Sequence, residues 1–294
     1  MKKILFALML SALFVSCENK MQNKDKTKES AKKSGFVVKD LNTYSPDCDQ
    51  YVLINTSKGD IKIKLYRETP LHRKNFINLV KNGYYNGQIF HRVVPGKLIQ
   101  AGDYTSIKNP DKADIGEHDV EHTVDPEIDA TKRIHKRGAL AAASPGGHFY
   151  IVVNKKVKEK EIDAAEKAYT KELVNIRFQE IQKPHLQELT KLRNLGESNN
   201  RKKEEYEKKV LELNNQAKKE TKDFHYTKEQ RKTYLNEGGL PANDANYTVF
   251  GEVVEGMDVV DAISWVSIYK DGAYKERPRE KIVINKISVV NGTK

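Results

Sequence analysis

Short runs in which apolar and polar residues alternate recur in two parts of the chain and predict a mainly β domain. Residues 51–54 and 61–65 read as two strands, and the second alternates isoleucine and leucine with lysine. Such alternation gives a strand one buried and one solvated face. Further strands are predicted at 88–94, 98–101, 137–142, 148–153, 247–254 and 281–290. Many short strands with few helices favour a closed antiparallel barrel.

Two helices are predicted beside these strands. Thr69 followed by Pro70 is a helix-start signal, and apolar residues at 76, 79 and 80 form a stripe that ends near Asn82-Gly83. A shorter apolar helix is predicted at 257–263. Both helices have an apolar face that can cover the sheet.

Residues 155–233 do not follow the strand pattern. This insertion is rich in charged residues, with leucine, isoleucine and phenylalanine at helical spacing up to Pro184, which should break the first helix. A second helix is predicted from Ser198 to about Lys222. The two would form an antiparallel hairpin. The pattern leaves open whether this charged helical insertion is a solvated spacer or an arm that binds a protein partner or client.

The first residues predict export. Met1–Lys3 is basic, and Ile4–Val15 is an apolar run too short to span a bilayer comfortably. Phe14–Cys17 is typical of a lipobox, so residues 1–17 are predicted to be a lipoprotein signal peptide with Cys17 as the lipidated residue. The alternative is an ordinary signal peptide with a chance cysteine. Residues 18–45 are polar and predict a flexible tether. The lipobox and the tether together predict a protein that is lipid-anchored in a bacterial cell envelope, on its periplasmic or surface side.

The formal net charge of +11 invites a nucleic-acid hypothesis, but acids stand beside the lysines and no nucleic-acid motif is present. Nucleic acid is therefore not an expected partner. His118 and His122 have a spacing that would put two imidazoles on one helix face for a metal. Their segment is rich in Asp and Pro, where a helix is not favoured, so neither a metal nor a cofactor is predicted.

The stretch Phe90–Asp103 is the most informative part of the chain. It opens as a strand, turns at Pro95-Gly96 and resumes an apolar run that ends at Gly102. Arg92 keeps its proton near neutral pH and is a fixed hydrogen-bond donor, neither a base nor a nucleophile. The chemistry that this motif supports is therefore expected to be electrostatic.

This stretch resembles the central signature of the cyclophilin-type peptidyl-prolyl isomerases. Other blocks resemble the same family in the same order along the chain: Asn55–Leu65, Gly138–Ala143, Gly147–Ile151 and Tyr247–Asp261. The resemblance covers about residues 48–153 and 235–291. It implies a closed eight-stranded antiparallel barrel with flanking helices, formed by residues 46–154 and 234–294 and interrupted by the helical insertion.

The resemblance also implies a site and proline-containing polypeptides as its substrates. Rotation about an X–Pro bond breaks amide resonance, with a barrier of roughly 20 kcal/mol. Arg92 would donate to the prolyl nitrogen at the twisted transition state, and Gln100 would hold the neighbouring substrate carbonyl. The implied substrate-binding positions are Phe90, Lys97, Leu98, Ala143, His148, Tyr150, Ala242, Asn243 and Tyr247.

Several of these positions depart from the family pattern. Lys97 and Ala242 stand where the family has aromatic or imidazole side chains, Asn243 replaces a leucine, and His148 replaces a glutamine. A lost aromatic wall removes apolar contact worth on the order of 1–2 kcal/mol. We therefore expect a weaker or choosier isomerase that assists the folding of exported proteins. The alternative is a proline-peptide-binding or chaperone module whose helical arm binds clients or an envelope partner.

Overall fold

The computed structural model describes residues 49–291 together with the backbone of Lys32–Lys33. The predicted signal peptide, the lipidation site Cys17 and nearly all of the tether at 18–45 lie outside these residues. The strands of the main sheet are β1 (Gln50–Thr56), β2 (Gly59–Leu65), β3 (Arg92–Val94), β4 (Leu98–Ala101), β5 (Ala139–Ala142), β6 (Phe149–Val152), β7 (Val249–Glu255) and β8 (Ile284–Val290). The α-helices are α1 (Pro70–Lys81), α2 (Glu159–Gln182), α3 (Leu186–Gly196), α4 (Asn200–Glu220), α5 (Lys228–Glu237) and α6 (Met257–Ser264).

The main sheet is antiparallel, and its strands follow the order β8–β1–β2–β7–β5–β6–β4–β3. The prediction of a closed barrel was wrong, because the edge strands β8 and β3 do not form a ladder with each other. The segments just before β3 and β8 approach each other at an isolated antiparallel bridge between Ile89 and Val283. β3 and β8 begin three or four residues later than predicted, which leaves this gap without continuous pairing. A separate two-residue parallel pair joins Lys32–Lys33 to His118–Asp119.

The core lies between the sheet and the two flanking helices. Ile61 and Ile63 of β2 are fully buried, as the alternation of that strand predicts. They share one apolar cluster with Phe76 of α1 and with Val260 and Ile263 of α6. Each fully buried side chain of this size contributes roughly 1.5–3 kcal/mol. The helix stripes seen in the sequence therefore fix the two helices on the sheet.

Residues 166–225 form a compact unit of their own, and the remaining described residues from 49 onward form the other. The expected two-helix hairpin contains three helices here, because the first helix breaks at Lys183–His185, around Pro184. A small apolar cluster joins Leu189, Val210 and Leu213. Within residues 49–291, no helix combines the length and the apolar character that crossing a bilayer requires.

Helix α5 is absent from the sequence prediction. It begins with a capping box between Thr227 and Gln230 and buries Tyr234 completely. Residues from Tyr226 onward belong to the unit that contains the sheet, so that unit resumes before the predicted boundary at residue 234. The apolar spacing of this short segment is too weak to reveal the helix, since Tyr234 is its one buried residue.

Candidate active site

Arg92 and Gln100 are direct partners across the β3–β4 pair. Direct cross-strand partners project from the same face of a sheet. Nη1 of Arg92 donates a hydrogen bond of 3.2 Å to Oε1 of Gln100. The Arg92 side chain is 43 % exposed, so a ligand can reach the rest of its guanidinium.

Glu276 contacts the same guanidinium from a different part of the chain. Its Oε2 accepts a hydrogen bond of 2.7 Å from Nε of Arg92, and its main-chain oxygen accepts one of 2.7 Å from the N–H of Val93. Sequence reasoning did not select Glu276. Nothing in the surrounding sequence distinguishes it from the many other acidic residues, and only the fold brings it to Arg92.

An apolar surface lies on the face of the sheet that carries Arg92. Residues two apart on a strand share a face, so Leu98 accompanies Gln100 and Val94 accompanies Arg92. This surface is a cluster distinct from the core and contains Tyr66, Leu98, Ala139, Ala141, Tyr150, Val152 and Val249, with Val94, Ala143 and Leu240 packed against it. A fixed cation thus stands beside a surface that can pack against a proline ring.

Tyr150 connects this apolar surface to the loop that precedes β7. Its hydroxyl accepts a hydrogen bond of 3.0 Å from Nδ2 of Asn243, and its ring meets the ring of Tyr247 edge to face at 5.8 Å. The imidazole of His135 stacks on the Tyr150 ring, with 5.9 Å between the two ring centroids. Burial raises the pKa of Tyr150 far above its usual range, so the phenol stays neutral.

Asp244 fixes the loop that carries Asn243. It is 2 % exposed, and its Oδ1 accepts from the main-chain N–H of His135 at 2.8 Å and lies 2.6 Å from Nδ1 of that ring. The hydroxyls of Tyr226 and Tyr234 both donate to Oδ2 of Asp244. The wall beside Tyr150 is therefore held by residues at the exit of the insertion, which sequence reasoning left out of the site.

Phe90 and His148 do not face the candidate site. Phe90 is fully buried in the core, where its ring packs on that of Phe149. His148 is 5 % exposed, and its Nε2 lies 2.6 Å from the main-chain oxygen of His118. The assignment of Phe90 and His148 to substrate binding was wrong. Phe90 lies ahead of β3, outside the strand that carries Arg92, and its ring belongs to the core cluster. The His148 ring is directed at the main chain of His118 instead.

Lys97 and Ala242 are both exposed, and neither position supplies an aromatic wall. Trp265, the one tryptophan of the chain, is 69 % exposed and lies close to the β3–β4 turn. Its ring is 3.5 Å from the point that a Cβ on Gly96 would occupy. The aromatic surface near this turn therefore comes from the segment after α6, a contribution that sequence reasoning missed.

Gly102 and Asp103 fix the end of the strand that carries Gln100. Gly102 has a φ of 124°, and a Cβ there would lie 2.4 Å from the Cα of His148, so only glycine fits. The Asp103 carboxylate accepts hydrogen bonds from Thr105 and Gly116. Burial raises the pKa of Asp103, but these hydrogen bonds outweigh it and the net shift is downward.

The two histidines that raised the question of a metal do not share a helix face. His118 belongs to an extended pair of residues, and its Nδ1 lies 3.2 Å from Oδ2 of Asp103. Nε2 of His122 lies 2.6 Å from Oδ1 of Asn75. Within residues 49–291, no cluster of three or more histidine, cysteine, aspartate or glutamate residues is arranged to hold a metal ion.

Comparison with known proteins identifies related chains. The spliceosome-associated protein CWC27 homolog of Danio rerio is 38 % identical over 104 residues, which are 35 % of this chain and 21 % of that protein. The peptidyl-prolyl isomerase cwc27 of Rhizopus delemar is 34 % identical over 116 residues, 37 % of this chain and 21 % of that protein. The chain thus spans about a fifth of the length of these relatives.

A longer match is to peptidyl-prolyl cis-trans isomerase A of Dickeya dadantii, 25 % identical over 258 residues, 86 % of this chain and 93 % of that protein. A solved cyclophilin type peptidyl-prolyl cis-trans isomerase of Cryptosporidium parvum has a TM-score of 0.45 and 18 % identity, covering 84 % of this chain and 100 % of that one. The family model described as cyclophilin type peptidyl-prolyl cis-trans isomerase/CLD matches residues 51–171 and 188–289. With most of its length matched by that model, the chain belongs to the cyclophilin-type peptidyl-prolyl cis-trans isomerase family.

Proposed function

We propose that this protein isomerises X–Pro bonds in polypeptides, with Arg92 as the donor to the prolyl nitrogen. Rotation about the bond breaks amide resonance, and the nitrogen regains a lone pair that can accept a hydrogen bond. A donor aimed at that nitrogen stabilises the twisted transition state more than the planar ground state, which is the requirement for catalysis. No proton transfer and no covalent intermediate is needed.

The observation that carries this proposal is the pairing of a restrained guanidinium with an apolar surface. Arg92 is bonded to Gln100 and Glu276 yet remains 43 % exposed. Leu98 and Tyr150 belong to the apolar surface on the same face. In the proposed complex the proline ring packs on this surface, and the Gln100 amide NH2 donates to the carbonyl of a neighbouring substrate residue.

We also propose that the pocket binds proline more weakly than an aromatic-walled pocket would. Lys97 offers only its methylene stem to an apolar ligand, and Ala242 offers one methyl group. Tyr247, which is 40 % exposed, supplies an aromatic ring beside Tyr150. The isomerase is therefore expected to be weak or selective for the residue that flanks the proline.

An isomerisation assay on a tetrapeptide with Ala-Pro at its centre tests the activity, using the chain from residue 18 onward. Loss of one donor to a transition state lowers turnover by about 100-fold or more, so Arg92→Ala should abolish most of the activity. Arg67→Ala, which changes an exposed arginine, is the matched control. Full turnover by Arg92→Ala would remove the catalytic assignment.

We further propose that the protein is lipid-anchored in a bacterial cell envelope and acts on exported proteins. The support is the sequence alone, namely the apolar run Ile4–Val15, Cys17 just after it, and the polar stretch that follows. Labelling of cells with a radioactive fatty acid tests this proposal. Wild-type protein should carry label and Cys17→Ser should not; unlabelled wild-type protein would favour an ordinary signal peptide.

A second candidate function is a binding module in which the insertion holds clients. The observation in its favour is a shallow groove along α3 in which Leu186 and Leu195 are both exposed. Such a module would suppress the aggregation of an unfolded protein without isomerising prolines. If suppression requires the insertion while turnover is absent, this second function replaces the first.

A further inference from the structure

We propose that Glu276 is a positioning residue for Arg92 and that it sets the turnover of the reaction. This inference rests on the proposed isomerase function. The Glu276 carboxylate accepts a hydrogen bond of 2.7 Å from Nε of Arg92, while Nη1 of the same guanidinium is bonded to Gln100. The guanidinium is thus held at two of its nitrogens, Nε and Nη1, and its remaining N–H groups are left for the substrate.

The backbone of Glu276 gives independent support. Its φ is 66°, and among residues 49–291 it is the one residue other than glycine with a positive φ. Glycine or asparagine would occupy this left-handed conformation with less strain. Strained conformations of this kind cluster at functional sites, where the surrounding structure enforces them. A glutamate here therefore indicates that its long carboxylate is needed.

Hydrogen bonds around Glu276 enforce that conformation. Its N–H donates to the oxygen of Tyr269 at 2.8 Å, and its own oxygen accepts from Val93 at 2.7 Å. The next residue, Arg277, is 7 % exposed and donates from Nη1 to the oxygen of Lys112 at 2.5 Å. Both segments that meet in the Arg92–Glu276 ion pair are consequently fixed in position.

This arrangement predicts which kinetic constant Glu276 controls. Arginine has a long side chain with many rotamers, and restraining it before the substrate arrives is what places the donor at the prolyl nitrogen. The ground-state substrate is held chiefly by the apolar surface around Leu98 and Tyr150. Loss of the Glu276 carboxylate should therefore lower kcat and leave KM nearly unchanged.

Two variants of the full-length chain in mild detergent separate positioning from folding. Glu276→Gly removes the carboxylate and relieves the strain, so kcat should fall about tenfold while Tm stays equal or rises. Glu276→Gln keeps an acceptor for Nε–H and should retain at least about half of kcat. Glu280→Gln, which changes an exposed glutamate, is the control. Exchange NMR on the Ala-Pro tetrapeptide gives kcat and KM, and the Arg92 Nε–Hε resonance should shift in Glu276→Gly but not in Glu276→Gln.

Wild-type or higher kcat in Glu276→Gly would overturn the positioning role, as would a change confined to KM. The Arg92→Ala variant separates this failure from failure of the isomerase function. If Arg92→Ala is inactive and Glu276→Gly is fully active, only the positioning role is lost. If Arg92→Ala turns over like the wild type, the isomerase proposal itself fails, together with any catalytic role for Glu276.

Discussion

Asn243 donates a hydrogen bond of 3.0 Å to the hydroxyl of Tyr150. These two residues stand where the family resemblance implies leucine and phenylalanine. Asn243 puts an amide in place of an apolar side chain, whereas Tyr150 keeps the aromatic ring and adds a hydroxyl. Together they form a polar pair, because the amide supplies a partner for a phenol that is only 3 % exposed. The pocket wall is therefore altered as a unit.

A double-mutant cycle on this pair should show strong coupling. Asn243→Leu leaves the buried hydroxyl without its partner and should lower the free energy of unfolding by about 1–2 kcal/mol, and Tyr150→Phe should cost about 1 kcal/mol. The double variant restores an apolar wall and should cost less than the sum of the two. Urea unfolding measures all four proteins, and strictly additive effects would show that the hydrogen bond contributes nothing.

Lys97→Phe should tighten peptide binding. Lys97 is exposed at the end of the β3–β4 turn, and an aromatic ring there adds apolar contact worth about 1–2 kcal/mol, which corresponds to roughly a 5- to 30-fold lower Kd for an Ala-Pro peptide. Calorimetric titration measures the Kd, with Lys112→Phe as a control for added surface hydrophobicity. Equal affinity of Lys97→Phe and the wild type would mean that residue 97 does not border the bound proline.

Stability should fall with acidification because of His91. This residue is 5 % exposed, and neither ring nitrogen has a hydrogen-bond partner among the described residues. Burial, reinforced by the nearby His148, lowers the pKa of His91 to about 3, whereas an unfolded histidine titrates near about 6.5. The contribution of neutral His91 to the free energy of unfolding is therefore fully present above about pH 6.5. It is lost as the pH falls toward 3, by up to about 1 kcal/mol per pH unit.

The His91→Gln variant isolates this contribution, since glutamine carries no charge in either state. Chemical denaturation between pH 4 and 7 should show that the free energy of unfolding changes less with pH in this variant than in the wild type, because histidine in the unfolded chain titrates in this pH range. His122→Gln, at an exposed imidazole, should behave like the wild type. Parallel curves for His91→Gln and the wild type would show that His91 is not the group responsible.

The boundaries of the insertion can be tested through Asp244. Replacing residues 166–225 by a Gly/Ser linker keeps Tyr226 and Tyr234, both of which donate to the Asp244 carboxylate. Replacing residues 155–233 removes Tyr226 and most of α5. We expect the first protein to keep its isomerase turnover and the second to lose most of it, because unpaired buried polar groups destabilise the pocket loop.

Turnover of both replacement proteins on the Ala-Pro tetrapeptide, together with their thermal unfolding, makes this comparison. The Tyr226→Phe variant of the intact chain serves as the control for the Asp244 contacts alone. Equal turnover in the two replacement proteins would show that Tyr226 and the first residues of α5 do not support the pocket.

Local chemistry explains which features the sequence revealed. Strand alternation in β2 and the apolar stripes of α1 and α6 predicted those elements, since each depends on residues close together in the chain. The Arg92–Gln100 pair was also within reach, because the short turn at Pro95-Gly96 fixes the register of the two strands. The position of Pro184 predicted the break between α2 and α3 for a similarly local reason.

The amino-acid sequence by itself determined the strands, the flanking helices, the pairing of Arg92 with Gln100 and the family to which the chain belongs. Only the tertiary structure decided that the sheet stays open, that Phe90 and His148 turn away from the site, and that Glu276 and Asp244 support it. Contacts such as Arg92–Glu276 join residues far apart in the chain. They depend on how distant segments pack, and no local pattern of residues encodes that packing.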